Sequence, residues 1–427
     1  MLFFCIFVFI IMLCVPKLFF DRQPITPKNI FLITYFIKLV IVPVSIMGFG
    51  FVDNPIYMKS DDIGYGVYIN TVSFFCLCLG YLFYSYLPTT SKENLLIGFE
   101  KKIWLSRYYI ILIFFAVVVF SLSYRFSNLS LIELITIKEV GNDNIESKPL
   151  LGFISNIGRF AFPFLSVMLL TDRNLLNKDL LIKFLSWLFV LLSAIICTLG
   201  SNRTNLIYML LCIIALFSIK VKRIPFYIII SGAIFISPYL TNYTQARAST
   251  DIETFTQTLQ EVNNETIILT LQVYFQAPQT VLNLNARDAS KDRFTLFNSF
   301  FESFPFLGKG LRDKSGTYYY NMYIYRSDIT KDQVYPFGAE IDKNLGLLGL
   351  VSIYFLIGMM FCVLESYFLT SINLQQPSIV LLCIIYISIY LNAVNVLSLS
   401  VLGQFLFYNS FPLLLIILLS KMHSFHE

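Results

Sequence analysis

Apolar residues occupy this chain in long stretches, interrupted by short clusters of charge and proline, and the stretches are apolar on every side of a would-be helix rather than on one face. A helix packed on a soluble core shows a stripe at three- and four-residue spacing. A run of about 20 residues without such a stripe matches the hydrocarbon thickness of a bilayer. The pattern predicts eleven such helices, at residues 1–20, 30–52, 66–87, 108–124, 152–171, 184–200, 205–219, 224–240, 344–368, 378–397 and 401–420. Only Ser201, Asn202, Arg203 and Thr204 separate the sixth from the seventh. An unbroken helix across both would be far longer than a bilayer is thick, so a tight hairpin is expected there.

The expected fold is therefore all-α, a polytopic integral membrane protein with about eleven transmembrane helices and one long external loop. Three parts follow: a membrane portion over 1–240, a long loop over 241–343 with amphipathic helices, and a final membrane portion with its tail over 344–427.

Basic residues set the orientation. With the N-terminus outside, the short inner loops and the tail hold fourteen lysines and arginines, among them Lys17, Lys101, Lys102, Lys220, Lys222 and Arg223. The short outer loops hold five: Lys59, Arg125, Lys138, Lys148 and Arg203. The excess marks the cytoplasmic side, which puts the N-terminus outside, the C-terminus in the cytoplasm and the long loop on the outer face. The first segment has its basic residues after its apolar run, the reverse of a cleavable signal peptide, so it is expected to be retained.

Composition narrows the chemistry. Of 427 residues, 57% are apolar and 13% charged, with a mean hydropathy of +0.71. A soluble domain carries about 25% charge, and a soluble globular enzyme is excluded. The eight cysteines all lie in apolar runs, as packing residues and not as a disulfide framework or a metal site. The two histidines, His423 and His426, stand at the very end of the chain, which removes chemistry that needs a histidine in a span or loop. A net charge of +5 without a basic block argues against nucleic acid as a partner.

Function is expected on the outer loop. Its charge is balanced, twelve acidic residues from Asp251 to Asp342 against ten basic ones from Arg247 to Lys343, which suits a polar ligand rather than a polyanion. Residues 251–285 alternate apolar and polar positions as one or two amphipathic helices would, lying on the membrane or acting as a lid on the span ends. From Phe294 to Tyr335 aromatics are dense. The phenylalanines would seat the loop on lipid or protein. Tyr318, Tyr319 and Tyr323 either offer flat faces with a hydroxyl for sugar rings or form an interfacial belt.

Charges at membrane depth are costly and mark candidate sites. Lys38 is within snorkelling reach of the cytoplasmic surface. Arg159, beside Asn156 and Gly158 in the outer half of its span, would face a polar cavity, and Arg203 stands at the tip of the outer hairpin. After the tyrosines, Glu340 and Asp342 arrive at the mouth of the ninth span. They are either carboxylates able to take a proton or the ordinary acidic first turn of a helix.

Two short motifs carry a resemblance: Gly200-Ser201-Asn202-Arg203-Thr204 in the hairpin, and Gly-x-Glu-x-x-x-Asn-x-Gly-x-x-Gly over Gly338–Gly349. With the architecture, the chain resembles the O-antigen and capsule repeat-unit polymerases, the Wzy family. The resemblance implies an integral-membrane glycosyltransferase of the bacterial inner membrane, without cofactor or metal. Its substrate would be an undecaprenyl-diphosphate-linked oligosaccharide drawn from the membrane lipid, and its further partner a chain-length regulator protein. It also implies that arginines hold the departing diphosphate, with Arg159, Arg203 and Arg312 as candidates ahead of Arg287 and Arg247. A carboxylate takes the proton of the attacking hydroxyl, Glu340 first, then Asp313 and Asp342. A lipid-linked oligosaccharide flippase, an O-antigen ligase and a small-solute transporter remain alternatives. The long loop without an internal repeat speaks against the first, the missing outer histidine against the second, and the lack of paired discontinuous spans against the third.

Overall fold

The computed structural model describes residues 61–86, 294–302, 308–319, 337–374 and 398–400, together with Leu32, Tyr35, Leu180, Phe184, Leu188, Phe304, Tyr335, Leu402 and Gly403. The described part is helical. In chain order it contains α1 (Asp61–Tyr86), α2 (Thr295–Phe301), α3 (Gly308–Leu311), a 3-10 turn (Arg312–Lys314) and α4 (Phe337–Leu374). By length and composition one helix among the described residues qualifies as a membrane span, the segment Phe337–Val363 of α4; the apolar stretch Tyr68–Tyr84 of α1 is shorter.

Helices α1 and α4 pack along each other, and glycine decides where. A Cβ added at Gly80 would collide with the Phe355 carbonyl, and one at Gly358 with the Leu77 carbonyl, so each backbone rests directly on the other at a site where only a hydrogen fits. Close approach at small residues is how helices gain dispersion contacts where water supplies no drive to associate. Larger groups close the seam on either side. Phe83 packs on Phe355 at 5.7 Å between ring centres, and Tyr84 donates to Ser366 Oγ at 3.3 Å. Gly358 meets Leu77, and Ser366 meets Tyr84 further along, so the two helices run parallel.

Tyr35, on the expected second span, closes one end of this seam. It stacks on Phe74 at 6.0 Å and meets Tyr354 edge-on at 6.4 Å. Leu32, one turn earlier, is also buried.

Helix α4 is not a straight rod. At Gly346 the backbone has φ 68° and ψ −170°, outside helical space and accessible essentially to glycine alone. In a straight helix Phe337 and Tyr354 would be about 25 Å apart, yet their ring centres are 5.7 Å apart. Gly338 likewise lies against the Tyr354 hydroxyl. The chain therefore folds back at Gly346 into two arms at an acute angle, an outer arm (337–345) and a long arm (347–374). Leu345, Leu347 and Leu348 crown the bend with exposed side chains. The ninth span was expected to begin at 344, and the long arm starts close to there. The outer arm is helix where the sequence reading has the end of the loop, and the expected divide between 241–343 and 344–427 runs just ahead of the bend.

Candidate functional site

The outer arm is covered by α2, which lies antiparallel to it. The Thr295 backbone N–H donates to Asn344 Oδ1 at 2.9 Å, and Asn344 Nδ2 returns a bond to Thr295 Oγ1 at 2.9 Å. Asn344 thereby supplies the acceptor that the first N–H of a short helix lacks. One turn further along each of the opposed helices, Ser299 meets Glu340.

Helix α2 ends at Glu302, whose N–H still bonds to the Asn298 carbonyl at 2.8 Å. Pro305 follows, and the residues before a proline disfavour helical backbone. The phenylalanines of this stretch stack among themselves. Phe297 and Phe301 are 4.5 Å apart, and Phe301 and Phe304 5.2 Å, while Phe294 and Phe297 keep exposed faces. Past Phe304 the chain turns back so closely that Gly308 presses on the Glu302 carbonyl. The 3-10 turn is tied down by Asn298 Nδ2 donating to the Lys314 carbonyl at 3.0 Å and by Ser315 Oγ donating to the Arg312 carbonyl at 2.9 Å.

At the centre stands a carboxyl pair. Glu340 is fully buried. Ser299 Oγ donates to its Oε1 at 2.5 Å, and the Gly316 N–H donates to Ser299 Oγ at 2.8 Å. The other oxygen, Oε2, is buried and has no hydrogen-bond partner among the described residues. A Cβ at Gly316 would stand 2.5 Å from Glu340 Oε1, so glycine is what lets the turn close over the carboxyl.

Glu302 lies close enough to Glu340 for the two to repel. Burial pushes the Glu302 carboxyl above its ordinary pKa. The hydroxyls of Ser315, Ser400 and Thr317 and the charge of Arg312 pull the other way without cancelling the effect. Its Oε1 too is buried without a hydrogen-bond partner among the described residues, although the residue as a whole keeps part of its surface open. Helix α2 is pressed against the late part of the chain as well, since Gly403 contacts the Phe300 carbonyl.

Of the sequence-derived candidates, Glu340 is at the centre of this site. Arg312 and Asp313 are exposed on the 3-10 turn at its rim, Arg312 near enough to Glu302 to act on its charge. Asp342 is half-buried on the outer arm. Tyr318 and Tyr319 meet edge-on at 5.8 Å, and Lys343 Nζ stands 5.7 Å from the Tyr319 ring centre, a cation–π distance. Arg159, Arg203, Arg247, Arg287 and Tyr323 lie outside the described residues, as do the expected amphipathic helices of 251–285. Glu302 and Ser299 are additions from the structure. Their three-residue spacing on a helix was the available signal, hidden in a phenylalanine-rich run.

A stability test follows from Glu302. A carboxyl with a raised folded-state pKa binds its proton more tightly folded than unfolded. Its contribution is complete below the unfolded pKa and is lost as pH rises through the folded one. Thermal unfolding of the detergent-solubilised protein should therefore show wild type losing stability relative to Glu302→Gln as pH rises above the ordinary carboxyl range. Parallel stability curves for the two proteins would contradict the burial of this charge.

No protein-family model matches the chain, and neither any curated protein nor any solved structure matches it. The described residues are helical, with one candidate membrane-spanning helix that bends at Gly346 and carries the buried Glu340.

Proposed function

We propose that the protein is a multi-pass enzyme of the bacterial inner membrane that polymerises undecaprenyl-diphosphate-linked oligosaccharide units into a surface polysaccharide on the outer face. The observation that carries this reading is the carboxyl pair Glu302 and Glu340 with Arg312 at its rim, set on a helix long and apolar enough to cross a bilayer. The reaction needs both kinds of group. A sugar hydroxyl of the acceptor attacks the anomeric carbon of the donor, the bond from that carbon to the diphosphate oxygen breaks, and the hydroxyl proton must go to a base. A carboxyl with raised proton affinity takes the proton, and guanidinium groups hold the departing diphosphate by paired hydrogen bonds.

Glu302 keeps part of its surface open and is the member of the pair proposed to meet the substrate, while Glu340 is fully buried. Arg312 is the described candidate for the diphosphate, with Arg159, Arg203 and Arg287 proposed beside it. Tyr318, Tyr319 and Tyr323 are proposed for the sugar rings, and Asp313 and Asp342 for secondary proton acceptors. The full arrangement in this proposal has about eleven spans, the N-terminus outside and the C-terminus in the cytoplasm, and a chain-length regulator as partner. Parallel packing of α1 and α4 supports it, because the third and ninth of eleven spans point the same way.

The bend at Gly346 favours a second reading. A broken helix that brings a carboxylate to membrane depth also occurs in ion-coupled carriers, so a proton-coupled carrier of a small solute is the competitor. Deleting the gene separates the two. A polymerase mutant should display glycans of a single repeat unit, restored to long chains by the wild-type gene, whereas unchanged surface polysaccharide would remove the polymerase reading.

A further inference from the structure

The hydrogen bonds around Glu340 give its two oxygens different surroundings. A serine hydroxyl has one hydrogen and two lone pairs. The Gly316 N–H points at Ser299 Oγ and takes up one lone pair, and the Ser299 hydrogen is directed to Glu340 Oε1. Ser299 is itself completely buried, so no water competes for that hydrogen. Oε1 is therefore held as an acceptor. A hydrogen placed on Oε1 would have to turn the Ser299 hydroxyl away and take up its second lone pair, leaving the Ser299 hydrogen without the acceptor it has here. A proton that reaches Glu340 is then directed to Oε2, which makes no hydrogen bond of good geometry among the described residues, with the Thr295 hydroxyl standing near the carboxyl.

We propose that Ser299 is a positioning residue for the proposed transfer, fixing Glu340 so that the proton released by the acceptor is held on Oε2 in preference to Oε1. The inference rests on the polymerase reading for its chemistry, but its geometry stands apart from it. In the step, the acceptor O–H bond breaks, its electron pair forms the new bond to the anomeric carbon, the diphosphate leaves with the electrons of the old bond, and the carboxyl pair takes the proton, Oε2 of Glu340 holding it. Nothing is oxidised or reduced. A carboxyl group free to rotate would present either oxygen, and part of the advantage of a fixed base would be lost.

Two measurements on the full-length protein test this. Infrared spectra at acid pH, where carboxyls are protonated, should contain a carboxylic-acid carbonyl band that disappears in Glu340→Gln. Because Oε1 is then the carbonyl oxygen and accepts from Ser299, Ser299→Ala should move that band to higher frequency, and Ser299→Thr, which keeps a hydroxyl, should leave it in place. In polysaccharide synthesis at matched protein level in the membrane, Ser299→Ala should lower the rate by about tenfold or more with little change in acceptor KM, and Ser299→Thr should recover most of it. An unmoved band in Ser299→Ala overturns the placement of the hydrogen, whatever the activity. A moved band with wild-type synthesis rate overturns the positioning role. If the band moves but the wild-type gene does not restore chain growth to a deletion strain, the polymerase reading fails while the assignment of Oε2 stands. Because the spectra are taken only on variants whose unfolding temperature matches wild type, a folding defect in Ser299→Ala sends the comparison to Ser299→Thr and Ser299→Cys. The first should then keep the band and the second, a weak donor, should shift it; identical spectra in both overturn the proposal.

Discussion

Glu340→Gln should halt chain growth at about one hundredth of the wild-type rate or less, the usual worth of a positioned acid–base group, in a protein that still folds and inserts. The substitution keeps the shape of the side chain and leaves Oε1 to accept from Ser299. It also removes a buried charge whose second oxygen has no hydrogen-bond partner among the described residues. Burying such a group without a partner is costly, so the glutamine protein should be at least as resistant to heat as wild type at neutral pH. The expected signature is thus a stable protein that yields single repeat units. Polysaccharide of normal length, made at matched protein level, would exclude Glu340 from the reaction and leave the outer arm a purely structural element. Loss of activity together with loss of protein would say nothing against the structural role, and Glu340→Asp then decides between them. The shortened carboxylate withdraws from Ser299 while keeping its charge, so a catalytic role predicts a large residual defect in a protein of normal abundance.

What the sequence could and could not reveal divides along physical lines. The long arm of α4 was legible because an apolar run of that length has few other destinations, and so was most of α1. Glu340 was singled out by its place alone, since a carboxylate at the edge of such a run is expensive wherever it goes. The outer arm was not. Gly338, Ala339, Glu340, Ile341, Asp342, Lys343 and Asn344 mix polar and apolar residues as a loop would, and the helical state comes from contacts with Thr295, Ser299 and Tyr354 that are distant in sequence. The bend was hidden for the opposite reason, because apolar residues continue on both sides of Gly346 and a run does not record its own direction. Glu302 was one of twelve acidic residues in the loop, and only the fold shows that it is set against Glu340 while the others named on the 3-10 turn and the outer arm are not.

The quoted motif then takes on a physical meaning position by position. Gly338 makes room for the Tyr354 hydroxyl, Glu340 is the carboxyl, Asn344 latches the arm to α2, Gly346 turns the chain, and Gly349 lies under Leu345. Among these Gly346 permits the cleanest test, because nothing lies within 4 Å of where its Cβ would be. Any effect of a side chain there must come from the backbone. With φ 68° and ψ −170° the residue is also outside the compact left-handed region that asparagine tolerates, in a region that glycine alone occupies freely. Gly346→Ala and Gly346→Asn should therefore fail alike, each with a conformational cost of about 1–3 kcal/mol set against the contacts that hold the arm down. Gly310→Ala, which also meets no neighbour and lies at no positive φ, should be neutral. The readout is a bridge formed by a short bifunctional thiol reagent between cysteines placed at Phe337 and Tyr354, whose ring centres stand 5.7 Å apart in the folded hairpin. It should form readily with Gly346 present and poorly in both variants, and chain growth should fall with it because Glu340 is carried on the same arm. Efficient cross-linking in Gly346→Asn would mean that the bend is imposed by the contacts of α2 and not permitted by glycine.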